Sequence, residues 1–389
     1  MKILYPYGRQ TITKEDINAV VNVLKSSYLT QGPVVAQFEQ ALCRYTGAKY
    51  AIAVSSGTAG LHIACLAAGV SPGDEGITSP ITFIASANCI VYCGGKVRFA
   101  DIDETTGLID PDEIEKQITK KTKVIIPVHY AGQSCDMERI HQIAKKNHIC
   151  VIEDAAHAIG SEYKGTKVGS CKYSDMTVFS FHPVKTMTTG EGGAITTNSR
   201  TLYEKLLLLR THGITKDPTK FINKLNNNNP WYYEMQDLGF NYRMTDIQAA
   251  LGTSQLKKLP SFIKKRNRIV RWYDGIFSQQ AIYKSLLDVG TGYSCRHLYV
   301  LLIDFRLLSI SRAQIMNTLA RFGIFTQVHY IPIFYQPWYK ENGYRHIQTP
   351  NADKFYEQCI SIPLYPGLTK KDIIYISSKI TKVLNCYKK

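Results

Sequence analysis

The 389-residue chain has no run of 18 or more apolar residues, so no segment is a candidate membrane helix. Its opening, MKILYPYGRQ, lacks the long apolar core and small-residue cleavage site of a secretory signal, and a cytoplasmic protein is the expectation. The ten cysteines (Cys43, Cys65, Cys89, Cys93, Cys135, Cys150, Cys171, Cys295, Cys359 and Cys386) include no CxxC pair and no partnered histidine spacing. They are expected to be reduced, mostly buried small hydrophobes, and no metal site is expected. Acidic residues are the scarcer charge, 31 against 47 Lys and Arg, which leaves a formal charge of +16. The basic residues are spread along segments such as 257–271 and form no aromatic-interleaved stripe, so an anionic small molecule is the expected partner and nucleic acid is not. No internal repeat is present, and no helix-turn-helix segment precedes residue 13, which argues against a DNA-binding regulator.

The length exceeds what one hydrophobic core usually serves, and the reading is two domains, 1–250 and 251–389. From about residue 13 to 171, helical stretches alternate with short apolar runs: AIAVSS (51–56), EGITSP (75–80), VRFADI (97–102), VIIPVHY (124–130) and CVIEDA (150–155). That alternation predicts βα units, hence an α/β fold with a large, mainly parallel sheet covered by helices on both faces. Ligands of such sheets collect at the carboxyl ends of the strands. The second region opens with a basic amphipathic helix over 251–277, interrupted at Pro260. RHLYVLLID (296–304) and GIFTQVHY (323–330) read as strands, and 311–322 and 370–384 as helices, together a smaller α+β domain. Between the two, 218–230 is polar and irregular and ends in the run Asn226 to Asn229, either a surface loop or a lid over a ligand.

The most informative pairing is Asp154, at the end of VIEDA, with Lys185, 31 positions later in FSFHPVKTMTTGEGG. A carboxylate ending a buried strand is costly without a facing cation. The protonated ring nitrogen of pyridoxal phosphate is such a cation, and the pairing makes the ring an electron sink; Lys185 then supplies the Schiff-base amine and the proton carrier. Capping of a following helix is the other reading for Asp154. Gly190, Gly192 and Gly193 let the backbone bend close to a ligand.

Other runs extend the pattern. SSGTAGL reads as strand, turn and helix start, so the amides at Gly57 and Thr58, with the hydroxyls of Ser56 and Thr58, can bind a phosphate, or serve only as a cap. Ser180, after the strand-like MTVFSF, can join them. Phe83 in SPITFIASAN can stack on the pyridine ring or fill a core. His157 points the same way as Asp154 if a helix begins there, and both a ring contact and a structural role stand open.

These runs, in this order, resemble the DegT/DnrJ/EryC/StrS sugar aminotransferase family within the fold-type I pyridoxal phosphate superfamily. The matching segments are YLTQGPVVAQFEQAL (28–42), AVSSGTAGLHIACLAAGVSPGDE (53–75), TFIASANCIVYCGGKVRFADID (82–103), VIEDAAHAIGS, FSFHPVKTMTTGEGG, LLRTHGI (208–214), DLGFNYRMTDIQAALG (237–252) and QVHYIPI (327–333). The resemblance implies a homodimer whose active sites lie at the subunit interface, with Asn241 reaching the partner's cofactor phosphate. It also implies a nucleotide-linked 3- or 4-keto sugar as acceptor and L-glutamate as donor. Relatives with histidine in place of the lysine act as dehydratases, and Lys185 therefore points to transamination. FSFHPVK, DAAHA and RHLY with QVHY are similar to the pseudaminic acid pathway branch. That likeness implies amination at C4 of UDP-2-acetamido-2,6-dideoxy-β-L-arabino-hexos-4-ulose, or of another ketosugar if the branch is wrong. His329 and Tyr330 stand either as sugar or diphosphate contacts or as core packing. Arg210 and His212 are placed by family position alone. Gly76, where relatives commonly have valine, is expected to loosen a strand start.

Overall fold

The structure is a computed structural model, and it describes residues 4–223, 229–278 and 283–389. Asn226 to Asn228 of the asparagine run thus lie outside the described residues.

Seven strands, β1 (Tyr50–Val54), β2 (Glu75–Thr78), β3 (Lys96–Phe99), β4 (Thr122–Ile126), β5 (Cys150–Asp154), β6 (Met176–Ser180) and β7 (Gly193–Thr197), form one sheet in the order β1-β7-β6-β5-β4-β2-β3. Only β7 runs antiparallel to its neighbours; the other pairings are parallel, as the sequence predicts. Around it lie α1 (Lys14–Leu24), α2 (Pro33–Thr46), α3 (Gly57–Ala67), α4 (Ala85–Tyr92), α5 (Pro111–Gln117), α6 (Met137–Lys146) and α7 (Arg200–Arg210). Strand residues alternate between the faces. Ile52 and Val54 pack with α3, while Ala51 and Ala53 pack with α2 on the other side. Helices therefore cover both faces, and most residues of the central strands are buried.

Beyond the sheet, α8 runs unbroken over Asp246–Phe277, although the sequence suggests an interruption at Pro260. Pro260 is exposed, so water can satisfy the carbonyl it leaves unpaired, while buried Leu256, Leu259, Phe262 and Ile263 hold both halves on the core. A three-stranded antiparallel sheet follows, β8 (Tyr283–Ser285), β9 (Tyr299–Ile303) and β10 (Cys359–Ile362), with α9 (Arg312–Arg321), α10 (Pro350–Gln358) and α11 (Lys370–Cys386). Residues 323–330 are not the strand the sequence suggests. They run extended, held by isolated pairings of Ile324 with Tyr5 and Gln327 with Ser361. The core around the small sheet also takes in Tyr5, so the start of the chain packs against its C-terminal part.

All ten cysteines are free, and seven are buried. At Gly76 the register between β2 and β4 shifts. A Cβ there would lie 2.6 Å from Ile90 Cδ1 and 2.9 Å from Val124 Cγ2, so these two side chains occupy the room a valine would need. No helix among the described residues is long and apolar enough to cross a membrane.

Candidate active site

A cavity of about 1350 Å³ opens where β1, β2, β5 and β6 end. It exceeds the roughly 300–1,000 Å³ common for small-molecule sites. At its floor, β5 delivers two consecutive buried carboxylates to opposite faces. Glu153 faces away and is neutralised: His129 Nε2 lies 2.6 Å from its Oε2, and Thr177 Oγ1 donates to Oε1 at 2.8 Å. Burial alone would lower the His129 pKa, but its hydrogen bonds and the Glu153 charge carry it up to about 10. Asp154 is the carboxylate left for the cavity. Its Oδ1 accepts from the Ala156 amide at 3.0 Å, its Oδ2 from Ser86 Oγ at 2.6 Å, and among the described residues no lysine or arginine forms an ion pair with it.

No helix follows Asp154. Residues 155–160 turn instead, because the local backbone groups are committed to neighbouring strands: Ala155 N donates to Val178 O at 2.8 Å, and Asp154 O accepts from His129 N at 3.1 Å. The helical argument for His157 therefore fails, yet the turn places its buried ring in the cavity wall all the same. Its Nε2 lies 3.1 Å from the Tyr330 hydroxyl oxygen, its ring centroid 4.3 Å from that of His297, and its Nδ1 has no partner. Burial first, then the Lys185 charge, hold its pKa well below the usual histidine range, so the imidazole is neutral.

Lys185 sits in the connection from β6 to β7, closed by Phe181 N to Gly192 O at 2.9 Å and Thr189 N to Phe181 O at 3.0 Å. Its amine enters the cavity, and loss of hydration pushes its pKa down to about 8 against the opposing pull of Asp154. The three nearby glycines do not line the cavity, and Gly192 leaves room for the side chains of Thr189 and Met244. Gly190 takes the left-handed turn at φ +82°, and Gly193 lets β7 approach the Ser56–Gly57 backbone, where a Cβ would lie 2.7 Å away.

Ser56 caps α3, accepting from the Ala59 amide at 3.0 Å, so its oxygen is spent on the cap. The first-turn amides of Gly57 and Thr58 border the cavity with Ser180. A Cβ on Gly57 would lie 2.9 Å from Ser180 Cβ, so glycine keeps that cradle open. Phe83 is 54% exposed in the cavity wall, which removes the core reading. His329 and Tyr330 also line the cavity; His329 Nδ1 is 2.8 Å from Ser361 Oγ, and burial, with Lys185 adding, lowers its pKa to about 3.

Asn241 is exposed and lies outside its own chain's cavity. Arg210 has a structural role: its Nη1 donates to Glu39 Oε1 at 2.6 Å and to Ala53 O at 3.0 Å, tying α2 to β1. His212 takes the left-handed conformation and donates its amide to Phe240 O. Cavity residues that the sequence reading passed over include Tyr7, Asn88 and Trp338, together with Thr82, whose Oγ1 lies 2.8 Å from Ser86 Oγ. Only the closeness of Thr82 and Ser86 to Phe83 in sequence was available as a signal.

A mainly parallel sheet that gathers this chemistry at its strand ends is the architecture of fold-type I pyridoxal phosphate enzymes. The chain belongs to the DegT/DnrJ/EryC1/StrS aminotransferase family, whose model matches residues 10–381. It is 41% identical over 370 residues to the spore coat polysaccharide biosynthesis protein SpsC of Bacillus subtilis, with 95% of this chain and 94% of the relative covered. It is 38% identical over 386 residues to UDP-4-amino-4,6-dideoxy-N-acetyl-β-L-altrosamine transaminase of Campylobacter jejuni, with 98% of each covered. Among solved structures, Helicobacter pylori PseC, an aminotransferase involved in the biosynthesis of pseudoaminic acid, superimposes with a TM-score of 0.91 at 34% identity, over 99% of this chain and 100% of that one. Spr1654 of Streptococcus pneumoniae, in its pyridoxal phosphate form, gives 0.90 at 33% identity over 99% of each chain. The protein is thus a pyridoxal phosphate-dependent sugar aminotransferase. Its residues fit the cofactor: the cradle kept open at Gly57 suits a phosphate, and Asp154 keeps carboxylate lone pairs that no protein cation claims.

Proposed function

We propose that the protein transfers an amino group from L-glutamate to C4 of a UDP-linked 4-keto-6-deoxy-N-acetylhexose, giving UDP-4-amino-4,6-dideoxy-N-acetyl-β-L-altrosamine for pseudaminic acid synthesis in the cytoplasm. The observation that carries the transamination is the unpaired Lys185 amine in the same cavity as buried Asp154. The Campylobacter and Helicobacter likenesses support the substrate. SpsC, at 41% identity, favours a second reading, amination of another nucleotide-linked 3- or 4-keto sugar.

Bound pyridoxal phosphate supplies a carbonyl that takes up the amino group and a pyridinium that accepts the electron pair left when a carbon loses its proton. Gly57 and Thr58 amides with Ser180 would hold the phosphate, and Phe83 would pack on the ring. Asp154 would favour a protonated ring nitrogen, and neutral His157, held by Tyr330, would lie beside the cofactor. Lys185 would anchor the cofactor, and its Nζ, with a pKa near 8, is basic enough to take up a proton and able to give it back. His329 and Tyr330 border the space left for the sugar.

Among the described residues, Lys185 is the one lysine or arginine lining the cavity, against Asp154 and Glu191. A cofactor phosphate and a sugar diphosphate need more donors than that, which supports a homodimer in which Asn241 of each chain completes the other's site. We take 1–250 and 251–389 as the two units of each chain, joined by α8.

The test is incubation of cofactor-loaded protein with glutamate and a panel of UDP- and dTDP-linked 4-keto-6-deoxy sugars, with products read by mass and NMR. Amination of the UDP-N-acetyl β-L-arabino ketosugar alone is expected. Amination only of another ketosugar would transfer the assignment to the second reading, and a deoxy-keto product would replace transamination by dehydration.

A further inference from the structure

Asp154 is served by a directed chain of hydroxyls. An ionised carboxylate only accepts hydrogen bonds, so at 2.6 Å Ser86 Oγ must donate to Asp154 Oδ2. Phe83 O is a more distant acceptor for the Ser86 hydroxyl at 3.3 Å; with its single proton committed to the shorter contact, Ser86 Oγ accepts from Thr82 Oγ1 at 2.8 Å, and the order runs Thr82 to Ser86 to Asp154. All three side chains are buried, Ser86 and Thr82 at 0% and 2% exposure. Ser86 lies in the first turn of α4, three residues beyond Phe83 in the cavity wall, while Asp154 ends β5.

We propose that Ser86, polarised by Thr82, is a positioning residue that fixes the Asp154 carboxylate and keeps it ionised, so that the proton of the Asp154–cofactor pair stays on the ring nitrogen. The inference rests on the reading of Asp154 as the partner of that nitrogen. A hydrogen bond to the charged form of a group favours that form, and a bond to a charged acceptor is among the stronger ones in proteins. Without the Ser86 hydroxyl, Oδ2 loses a bond that favours the charged form of the carboxylate, and the ring nitrogen would be less firmly held as its protonated partner. Oδ1 stays bonded to the Ala156 amide, so the effect of Ser86 falls on Oδ2.

The experiment loads the full-length protein with cofactor labelled with nitrogen-15 in the ring, and compares wild type, Asp154→Asn, Ser86→Ala, Ser86→Thr and Thr82→Val. The ring-nitrogen resonance reports protonation directly, and kcat and KM for glutamate are measured beside it. Wild type is expected to show a pyridinium signal. Ser86→Ala should move it toward neutral pyridine and lower kcat about ten- to a hundredfold, the scale of a hydrogen bond to a charged group, with KM little changed. Ser86→Thr should restore both, and Thr82→Val should shift the resonance the same way by less. If Ser86→Ala fails to fold or to load, Thr82→Val decides. A wild-type resonance and kcat in Ser86→Ala, or in Thr82→Val when it decides, would overturn the proposal while leaving Asp154 in its role. No effect of Asp154→Asn on the resonance would instead overturn the reading of Asp154 beneath it.

Discussion

His157 Nε2 and the Tyr330 hydroxyl oxygen lie 3.1 Å apart, which joins the turn after β5 to the extended segment on the far side of the cavity. Tyr330→Phe leaves a buried imidazole nitrogen without its partner, and Nδ1 already has none. The expected cost is about 1–3 kcal/mol of stability, read from the urea midpoint, with a lower kcat/KM for the ketosugar. Unchanged stability and kinetics would mean that the contact contributes nothing.

Gly57→Ala tests the phosphate cradle. Its Cβ would lie 2.9 Å from Ser180 Cβ, closer than carbon atoms pack, so Ser180 or the turn at Gly57 must shift. Overpacking of this kind costs about 1–3 kcal/mol, and the cofactor Kd should rise about tenfold or more in equilibrium dialysis. An unchanged Kd would show that the phosphate binds elsewhere.

The sequence made the sheet legible because each strand is a short apolar run between helices, and it made Lys185 and Asp154 legible because their chemistry is rare beside such runs. Contacts across long sequence separations were not legible. Nothing in TFIASAN marks Ser86 as the donor to a carboxylate 68 residues away. Pro260 looked like a break because intrinsic helix preference ignores the buried residues on either side, and GIFTQVHY looked like a strand because it is extended and partly buried, although only isolated pairings hold it. The glycines around the start of β7 were legible as bends, but the surface that Gly193 fits is the Ser56–Gly57 backbone.

Stability of the cofactor-free protein should depend on Lys185 with a defined sign. The amine's pKa falls from 10.5 to about 8 on folding, so below pH 8 the fold bears the cost of a charged amine with incomplete hydration. Between about pH 8 and 10.5 the folded chain has lost a proton that the unfolded chain still binds, and stability rises with pH. Lys185→Met should therefore exceed wild type by on the order of 2 kcal/mol at pH 7, with allowance for partial solvent access, and the gap should close toward pH 10.5. A constant gap would place the amine outside the cavity.

Shared sites predict complementation. Lys185→Ala and Asn241→Ala should each be weakly active or inactive alone. Mixed, unfolded and refolded together at equal amounts, they should regain about one quarter of wild-type sites, because half of the dimers are mixed and each holds one intact site. No recovery would argue that Asn241 serves its own chain.

Lys185 as the residue that holds the cofactor can be trapped chemically, by borohydride treatment of the cofactor-loaded protein followed by peptide mass mapping. A stable pyridoxyl adduct on Lys185 is expected, and it should vanish when glutamate is added before the reductant. An adduct on another lysine, or none while the cofactor stays bound, would contradict that role.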